Sequence, residues 1–250
     1  MFFIDIFEKS FMSIVQREIR HRRMCAAMKT SGVVLACAVL TACTTAGQVL
    51  FSLLPDGTVP ILLSNFERES DTNRRRVAEL ERAGDWAGLA KFADENLEKD
   101  KVNTSWWLVA GYANSRLANY PRAIECYREV IRLEPDSAAG WNLLAQTLRE
   151  SGDSRRAVAV LTQALIVLRD SAVTLMLLGE SYSDIGQFSQ AVRQYRQALD
   201  IDGGLTPAWA GLARAYAKIG QLAEAESIAR SLDKTDPSLA AAIRREMGGK

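Results

Sequence analysis

Few side chains in this 250-residue sequence have the types and spacing that catalysis requires. The sequence has one histidine, His21, which lies in a basic N-terminal stretch. Because it is the only histidine, the rest of the sequence offers no imidazole to act as a base, activate a nucleophile or ligate a metal. Glu180 and Asp184 lie one helical turn apart, but that spacing is common on solvated helices. The sequence has no phosphate-binding glycine loop and no cysteine–histidine cluster. It therefore predicts a protein that is not an enzyme and that binds no metal or cofactor.

The charge of the chain is nearly balanced, with 31 lysines and arginines against 30 aspartates and glutamates. A nucleic-acid-binding surface needs a clustered surplus of positive charge, so no nucleic-acid partner is expected. Hydrophobic residues make up 48% of the chain, which has only six prolines and sixteen glycines. This composition is typical of a packed fold rather than of a low-complexity chain.

An uncharged, mostly apolar run, Gly32 to Leu54, follows five basic residues near the N-terminus: Arg17, Arg20, Arg22, Arg23 and Lys29. Basic residues before an apolar run are typical of an export signal. Leu40-Thr41-Ala42-Cys43 resembles the lipobox of bacterial lipoproteins, which implies cleavage before Cys43 and acylation of its thiol. In this interpretation the chain starts at Met28, residues 28–42 are the signal peptide, and residues 1–27 are an upstream extension.

Two alternatives for the N-terminal region stay open. The apolar run is long enough for an uncleaved anchor, because about 20 apolar residues span a bilayer. Residues 1–27 contain four phenylalanines and a basic end, and they could form an amphipathic helix on a membrane surface. The lipid anchor and the uncleaved anchor would both place the rest of the chain on the outer side of the inner membrane. The lipoprotein resemblance, with Thr44 rather than aspartate after Cys43, favours the outer membrane.

Cysteine content agrees with this interpretation. Cleavage before Cys43 would leave Cys126 as the one unmodified thiol, and one thiol cannot form a disulfide within the chain. Cys126 lies in a predicted helix without an assignable basic partner, so we expect it to be buried and unreactive.

The remainder of the sequence repeats every 34 residues. A large apolar column contains Trp107, Trp141, Leu175 and Trp209. Two columns of small residues contain Gly111, Ala145, Gly179 and Ala213, and Ala123, Ala157, Ala191 and Ala225. Apolar residues follow the i, i+3, i+4 spacing of helices, and a glycine column at 152, 186 and 220 interrupts it. Each unit is therefore predicted to be two helices that approach closely across their small residues.

This pattern resembles the tetratricopeptide repeat, a helix-turn-helix unit of the same length. The resemblance implies an all-α fold, a right-handed superhelix or solenoid, with four units over residues 104–237. Residues 64–103 are predicted to be a degenerate first unit, because an end repeat lacks a neighbour on one face. Residues 238–250 are predicted to be a capping helix and tail. Residues 43–63 form an apolar linker that we expect to pack on the first helices or to rest on the membrane.

The resemblance also implies a binding groove, since the first helices of such units line a concave side that commonly binds peptides or protein segments. Carried over to this sequence, the predicted groove residues are Tyr112, Arg116, Asn142, Gln146, Arg149, Glu180, Asp184, Arg214 and Lys218. Some family members hold a C-terminal carboxylate with lysines and asparagines, but Leu108 and Tyr112 occupy those positions here. The alternative is that these are ordinary solvated helix residues. Trp106 is surplus to the pattern, and it is expected either to cover the degenerate unit or to be an exposed anchor for a partner.

These observations predict a non-enzymatic protein–protein interaction module, a scaffold or adaptor lipoprotein of the bacterial cell envelope. Its predicted partners are a protein or peptide segment in the groove and the membrane through the lipid anchor. The alternative is a permanent structural subunit or a homo-oligomer of an envelope assembly machine, anchored by an uncleaved transmembrane helix.

Overall fold

The computed structural model describes residues 70–234 and 236–248. The predictions for the signal peptide, for Cys43, for the apolar linker and for residues 1–27 lie outside these residues. The described part is all-helical and without strands, so the predicted fold class is confirmed. Its eleven helices are α1 (Asp71–Arg82), α2 (Trp86–Leu97), α3 (Thr104–Arg116), α4 (Tyr120–Leu133), α5 (Ala138–Glu150), α6 (Ser154–Leu168), α7 (Ala172–Asp184), α8 (Phe188–Ile201), α9 (Thr206–Lys218), α10 (Leu222–Leu232) and α11 (Pro237–Gly248). None of these described helices has the length and apolar character that crossing a bilayer would need.

The helices pack in consecutive pairs along the chain. The pairs α3–α4, α5–α6, α7–α8 and α9–α10 each follow the 34-residue frame, and α1–α2 precedes them. Polar side chains start several of these helices: Ser137 accepts a hydrogen bond from the Gly140 amide, and Ser171 accepts one from Thr174. Such caps satisfy backbone donors that a helix start leaves without partners. The last helix, α11, packs on α9 and α10 and buries Ala240 and Ile243.

Close packing within the units depends on two buried tyrosines. The Tyr127 ring fills the space beside Gly111, and the Tyr195 ring lies between Gly179 and Gly211. A β-carbon on Gly111 would lie 2.6 Å from Tyr127 Cε1, so any larger residue there would meet the ring. The small-residue column thus allows a first helix to approach an aromatic ring of a second helix.

The tryptophan column also holds the loops between units. The indole N–H groups of Trp107, Trp141 and Trp209 each donate to the backbone carbonyl six residues earlier, over 2.8–2.9 Å. Leu175 occupies the same column and has no donor. In the loop before Leu175, Arg169 instead adopts a left-handed backbone with φ of 46°. A tryptophan in this column therefore fills the space between helices and also holds the loop that precedes its own unit.

The turn within each unit needs a left-handed residue. Gly84, Gly152, Gly186 and Gly220 have φ between 65° and 85°, but Ala118 occupies the equivalent place with φ of 57°. A β-carbon in this region costs about 1–2 kcal/mol. A glycine would remove that cost, although its greater freedom in the unfolded chain would offset up to about 1 kcal/mol.

We therefore expect Ala118→Gly to raise the free energy of unfolding by about 0.5–1 kcal/mol. Urea denaturation monitored by circular dichroism measures the change. Gly152→Ala is the matched reverse substitution in the next unit, and it should lower stability. If both substitutions shifted stability in the same direction, the backbone conformation at this turn would not be the cause.

The first helices lie closer to one another than the second helices do. In the described residues α5 contacts α7, and α7 contacts α9, whereas the second helices α4, α6, α8 and α10 make at most marginal contacts with each other. Over α5, α7 and α9 the stack therefore curves toward the first helices. We call the solvent-facing sides of α3, α5, α7 and α9 the first-helix face.

Candidate binding face

Neighbouring units meet on the first-helix face through the same four positions of the 34-residue frame. Two positions come from one unit, near the end of its first helix and at the start of its second. The other two lie one turn apart on the first helix of the next unit. The four sets are Glu81, Trp86, Tyr112 and Arg116 (α1/α3 junction); Ser115, Tyr120, Gln146 and Glu150 (α3/α5 junction); Arg149, Ser154, Glu180 and Asp184 (α5/α7 junction); and Ser183, Phe188, Arg214 and Lys218 (α7/α9 junction).

The α5/α7 junction is an ion-pair cluster. The Arg149 guanidinium donates from Nε to Asp184 Oδ2 over 2.7 Å and from Nη1 to the Glu180 carboxylate. The Ser154 hydroxyl donates to the same Asp184 oxygen over 3.1 Å. The Arg149 and Glu180 side chains are only 21% and 25% exposed. Three of the predicted groove residues are therefore bonded to one another and join the second complete unit to the third.

Burial and charge act in opposite directions in this cluster. Burial raises the pKa of the Glu180 carboxyl above its ordinary value, although the Arg149 charge and hydrogen bond lower it. Desolvation lowers the pKa of the Arg149 guanidinium, but the hydrogen bonds and charges of Asp184 and Glu180 outweigh it and raise that pKa. Attraction between the Arg149 guanidinium and the two carboxylates thus stabilises the cluster, and the desolvation of Glu180 destabilises it.

The α1/α3 junction is aromatic. Tyr112 is only 5% exposed, and its ring meets the Trp86 ring edge-on at a centroid distance of 5.6 Å. The Arg116 guanidinium lies 4.8 Å from the centroid of the same tryptophan, a cation–π contact. Glu81 is buried beside them, and burial raises its pKa while the Arg116 charge lowers it. Tyr112, predicted to line the groove, therefore fills a junction between units.

Hydrogen bonds that do not involve cations occupy the α3/α5 junction. Gln146 Nε2 donates to Glu150 Oε1 over 3.0 Å on the same helix, and Gln146 is half-buried while Glu150 is exposed. The hydroxyls of Ser115 and Thr147 are 3.1 Å apart. Asn142, another predicted groove residue, is 7% exposed and accepts a hydrogen bond from Thr174 over 2.9 Å. It connects α5 to α7 below the face.

The α7/α9 junction differs from the others because its two charges have the same sign. Arg214 and Lys218 are exposed one turn apart on α9, and neither forms an ion pair with any residue of 70–234 or 236–248. Ser183, their neighbour in the preceding unit, carries no charge. Among the nine predicted groove residues, Arg214 and Lys218 are exposed cations without an ion pair in residues 70–234 and 236–248.

The structure also places three residues outside this face that bear on the sequence predictions. Trp106 is buried edge-on against Phe92 of α2 at a centroid distance of 5.4 Å, as the hypothesis that it covers the first unit predicts. Cys126 is buried as expected, and burial raises the pKa of its thiol to about 12, so it is protonated at neutral pH. In the described part of the chain, no acidic, cysteine or histidine side chains group in threes as a metal ion would need.

Sequence reasoning missed Glu81, Trp86 and Ser154 as residues of the junctions between units. Each lies in the unit before the predicted groove residues of its junction, at a position that recurs in the other junctions every 34 residues. The 34-residue frame could therefore have identified them. It also missed a cleft of about 350 Å³ between α8, α9 and α10. That cleft is lined mainly by Leu199, Trp209, Leu212, Tyr216 and Ile228.

Comparisons with solved structures identify similar folds. PilW, titled a widely conserved type IV pilus biogenesis factor, has a TM-score of 0.60 at 21% identity, covering 71% of this chain and 86% of PilW. MamA has a TM-score of 0.56 at 19% identity, covering 72% of this chain and 99% of MamA. YrrB, titled a TPR protein with an unusual peptide-binding site, has a TM-score of 0.53 at 16% identity, covering 74% of this chain and 97% of YrrB. At these identities the likeness shows the fold alone.

Curated relatives match shorter stretches. The tetratricopeptide repeat-containing protein trd-1 of Caenorhabditis elegans is 30% identical over 75 residues, which is 30% of this chain and 10% of that protein. The TPR repeat-containing protein MJ1428 of Methanocaldococcus jannaschii is 26% identical over 106 residues, 40% of this chain and 19% of that protein. The matches thus span a fifth or less of these relatives.

Family models described as tetratricopeptide repeat match residues 108–172 and 184–245, about half of the chain. The repeat region of this protein therefore belongs to the tetratricopeptide repeat family.

Proposed function

We propose that this protein is a non-enzymatic scaffold or adaptor whose first-helix face binds a segment of another protein. Tetratricopeptide repeat proteins are protein-interaction scaffolds, which supports the general class. The observation that carries the proposal is a polar, partly exposed stripe along consecutive first helices, including Arg116, Gln146, Glu150, Asp184, Arg214 and Lys218. An extended segment needs such hydrogen-bonding side chains along its length, and the inward curvature of the stack brings them together.

The face is preorganised for such binding. The ion pairs of Arg149 and the stacking of Arg116 on Trp86 hold side chains of successive units in fixed places. A partner that binds an ordered surface loses less side-chain entropy than one that must order it. Tyr112 and Asn142 contribute to this order from within the stack, since both are buried.

The test places a photo-crosslinking amino acid at Glu150, an exposed position in the middle of the first-helix face. Arg193 is the matched control, exposed on the second helix α8. We expect irradiation in cells to attach a discrete second protein at position 150 but not at position 193. Attachment at position 193 alone, or only of further copies of this chain at position 150, would contradict binding by the first-helix face.

We further propose that the scaffold is a lipoprotein of the bacterial cell envelope, acylated on Cys43 and held at the outer membrane. Support comes from the lipobox resemblance of Leu40-Thr41-Ala42-Cys43 and the basic, apolar sequence around it. Labelled palmitate should enter the wild-type chain and not Cys43→Ser, and the variant should leave the membrane fraction. Incorporation that survives the substitution would contradict the proposed anchor.

A further inference from the structure

The four junctions of the first-helix face use their charges differently. At the α5/α7 junction the Arg149 guanidinium pairs with the Glu180 and Asp184 carboxylates. At the α1/α3 junction Arg116 lies over the Trp86 ring, with the buried carboxyl of Glu81 nearby. The α7/α9 junction alone among the described junctions has two cations and no acid in its four positions. Neither cation forms an ion pair within residues 70–234 and 236–248, although the Arg214 charge lowers the pKa of Glu180.

No neighbouring residue in the described part of the chain forms an ion pair with these two cations. Ser183 occupies the position that Arg149 holds one unit earlier, and it carries no charge. The nearby Glu180 carboxylate forms its ion pair with Arg149, although the Arg214 charge also lowers its pKa. Ala210 lies one turn before Arg214 on the same side of α9 and carries no charge.

We propose that Arg214 and Lys218 form the specificity-determining subsite of the first-helix face and bind an acidic segment of the partner protein. This inference rests on the proposed function. Side chains four residues apart on a helix have β-carbons about 5–6 Å from each other. Alternate residues of an extended peptide point to the same side and lie about 6.6 Å apart. The subsite therefore fits aspartate or glutamate at two alternate positions of an extended segment.

The surroundings favour a short acidic peptide over a larger polyanion. The Glu180 and Asp184 carboxylates lie on the next helix of the same face, and the whole chain has a net charge of only +1. A nucleic acid would need a longer run of cations than the two that this junction presents. Two acidic side chains, in contrast, require only the two cations that are present.

The experiment selects binding peptides from a displayed library of random sequences with the purified full chain. Affinities of selected peptides are then measured by fluorescence anisotropy for the wild type and two double variants. Arg214→Gln with Lys218→Gln removes the subsite. Arg155→Gln with Arg193→Gln is the matched control, since it removes the same charge from exposed positions on the second helices α6 and α8. Circular dichroism checks that both variants fold.

We expect the selected peptides to carry aspartate or glutamate at alternate positions. The subsite variant should bind them about tenfold more weakly, and the control should stay within about twofold of wild type. Added salt should weaken wild-type binding more than binding to the subsite variant. Peptides that lack the acidic pair, or that bind the subsite variant as tightly as wild type, would overturn the inference.

A separate readout distinguishes failure of the inference from failure of the proposed function. Selected peptides are irradiated with a chain that carries the photo-crosslinking amino acid at Glu150. Non-acidic peptides that attach there would retain the first-helix face as a binding site and reject the acidic subsite. If selection yields no peptide that attaches there and none that binds the subsite variant more weakly, both the face and its subsite are rejected.

Discussion

Gly211→Ala is expected to lower the free energy of unfolding by about 2 kcal/mol. An alanine β-carbon at this position would lie 2.4 Å from Tyr195 Cζ, and the tyrosine is itself buried between α7, α8 and α9. Overpacking of this kind costs up to about 3 kcal/mol. Alanine in place of glycine within a helix returns about 1 kcal/mol, so the steric cost determines the sign. Urea denaturation of the full chain measures the difference.

Gly203→Ala is the control for this substitution. It lies in the loop before α9, where a new β-carbon would be 3.7 Å from its nearest neighbour, the Leu199 carbonyl oxygen. We expect it to change stability by no more than about 0.5 kcal/mol. Adding Tyr195→Leu should also reduce the cost of Gly211→Ala, because contacting residues are not additive. Equal stability of the Gly211→Ala and Gly203→Ala proteins would contradict the close approach of the ring.

Arg149→Met should lower the free energy of unfolding by about 2 kcal/mol at neutral pH. Breaking a fully buried ion pair costs about 3–5 kcal/mol, but these side chains remain a fifth to a quarter exposed, so water screens part of the loss. The substitution leaves Glu180 without its cation and Asp184 without its strongest partner. Thermal and urea unfolding monitored by circular dichroism measure the effect.

The deficit of Arg149→Met should depend on pH in one direction. The folded-state pKa of Glu180 lies above its unfolded value because burial favours the neutral acid. Its stability contribution is therefore greatest below the unfolded pKa and is lost as pH rises through the folded pKa. Removing Arg149 raises that pKa further, so the deficit should be largest near pH 7 and should shrink as the pH falls toward the protonation of Glu180.

Two variants serve as controls for this prediction. Arg156→Met removes an exposed ion pair with Asp153 within one helix, where the side chains are 54% and 36% exposed, and should cost less than about 1 kcal/mol. Combining Arg149→Met with Glu180→Gln should recover part of the lost stability. It should also remove most of the pH dependence of the deficit, because Glu180 is the group that titrates. A deficit that is the same at every pH would show that the guanidinium acts by packing alone.

Much of the fold could be predicted from the sequence because the repeat is a local signal. The 34-residue columns place the starts of α3, α5, α7 and α9, and the glycine positions place the turns between helices. The same columns identify which side of each first helix faces the stack, because helical spacing fixes the direction of every side chain. The burial of Cys126 follows from the same pattern.

The state of the face residues could not be predicted in this way, because it depends on partners about one repeat away. Arg149 reaches Glu180 and Asp184 across 31 and 35 residues, and Thr174 reaches Asn142 across 32. A periodic pattern shows that such residues share a face, but not which of them are neutralised or covered by the next unit. The sequence by itself determined the repeat and its first-helix face. Only the tertiary structure decided that Tyr112 and Asn142 are buried, that Arg149 is paired, and that Arg214 and Lys218 stay exposed, since those outcomes depend on the side chains that packing brings together.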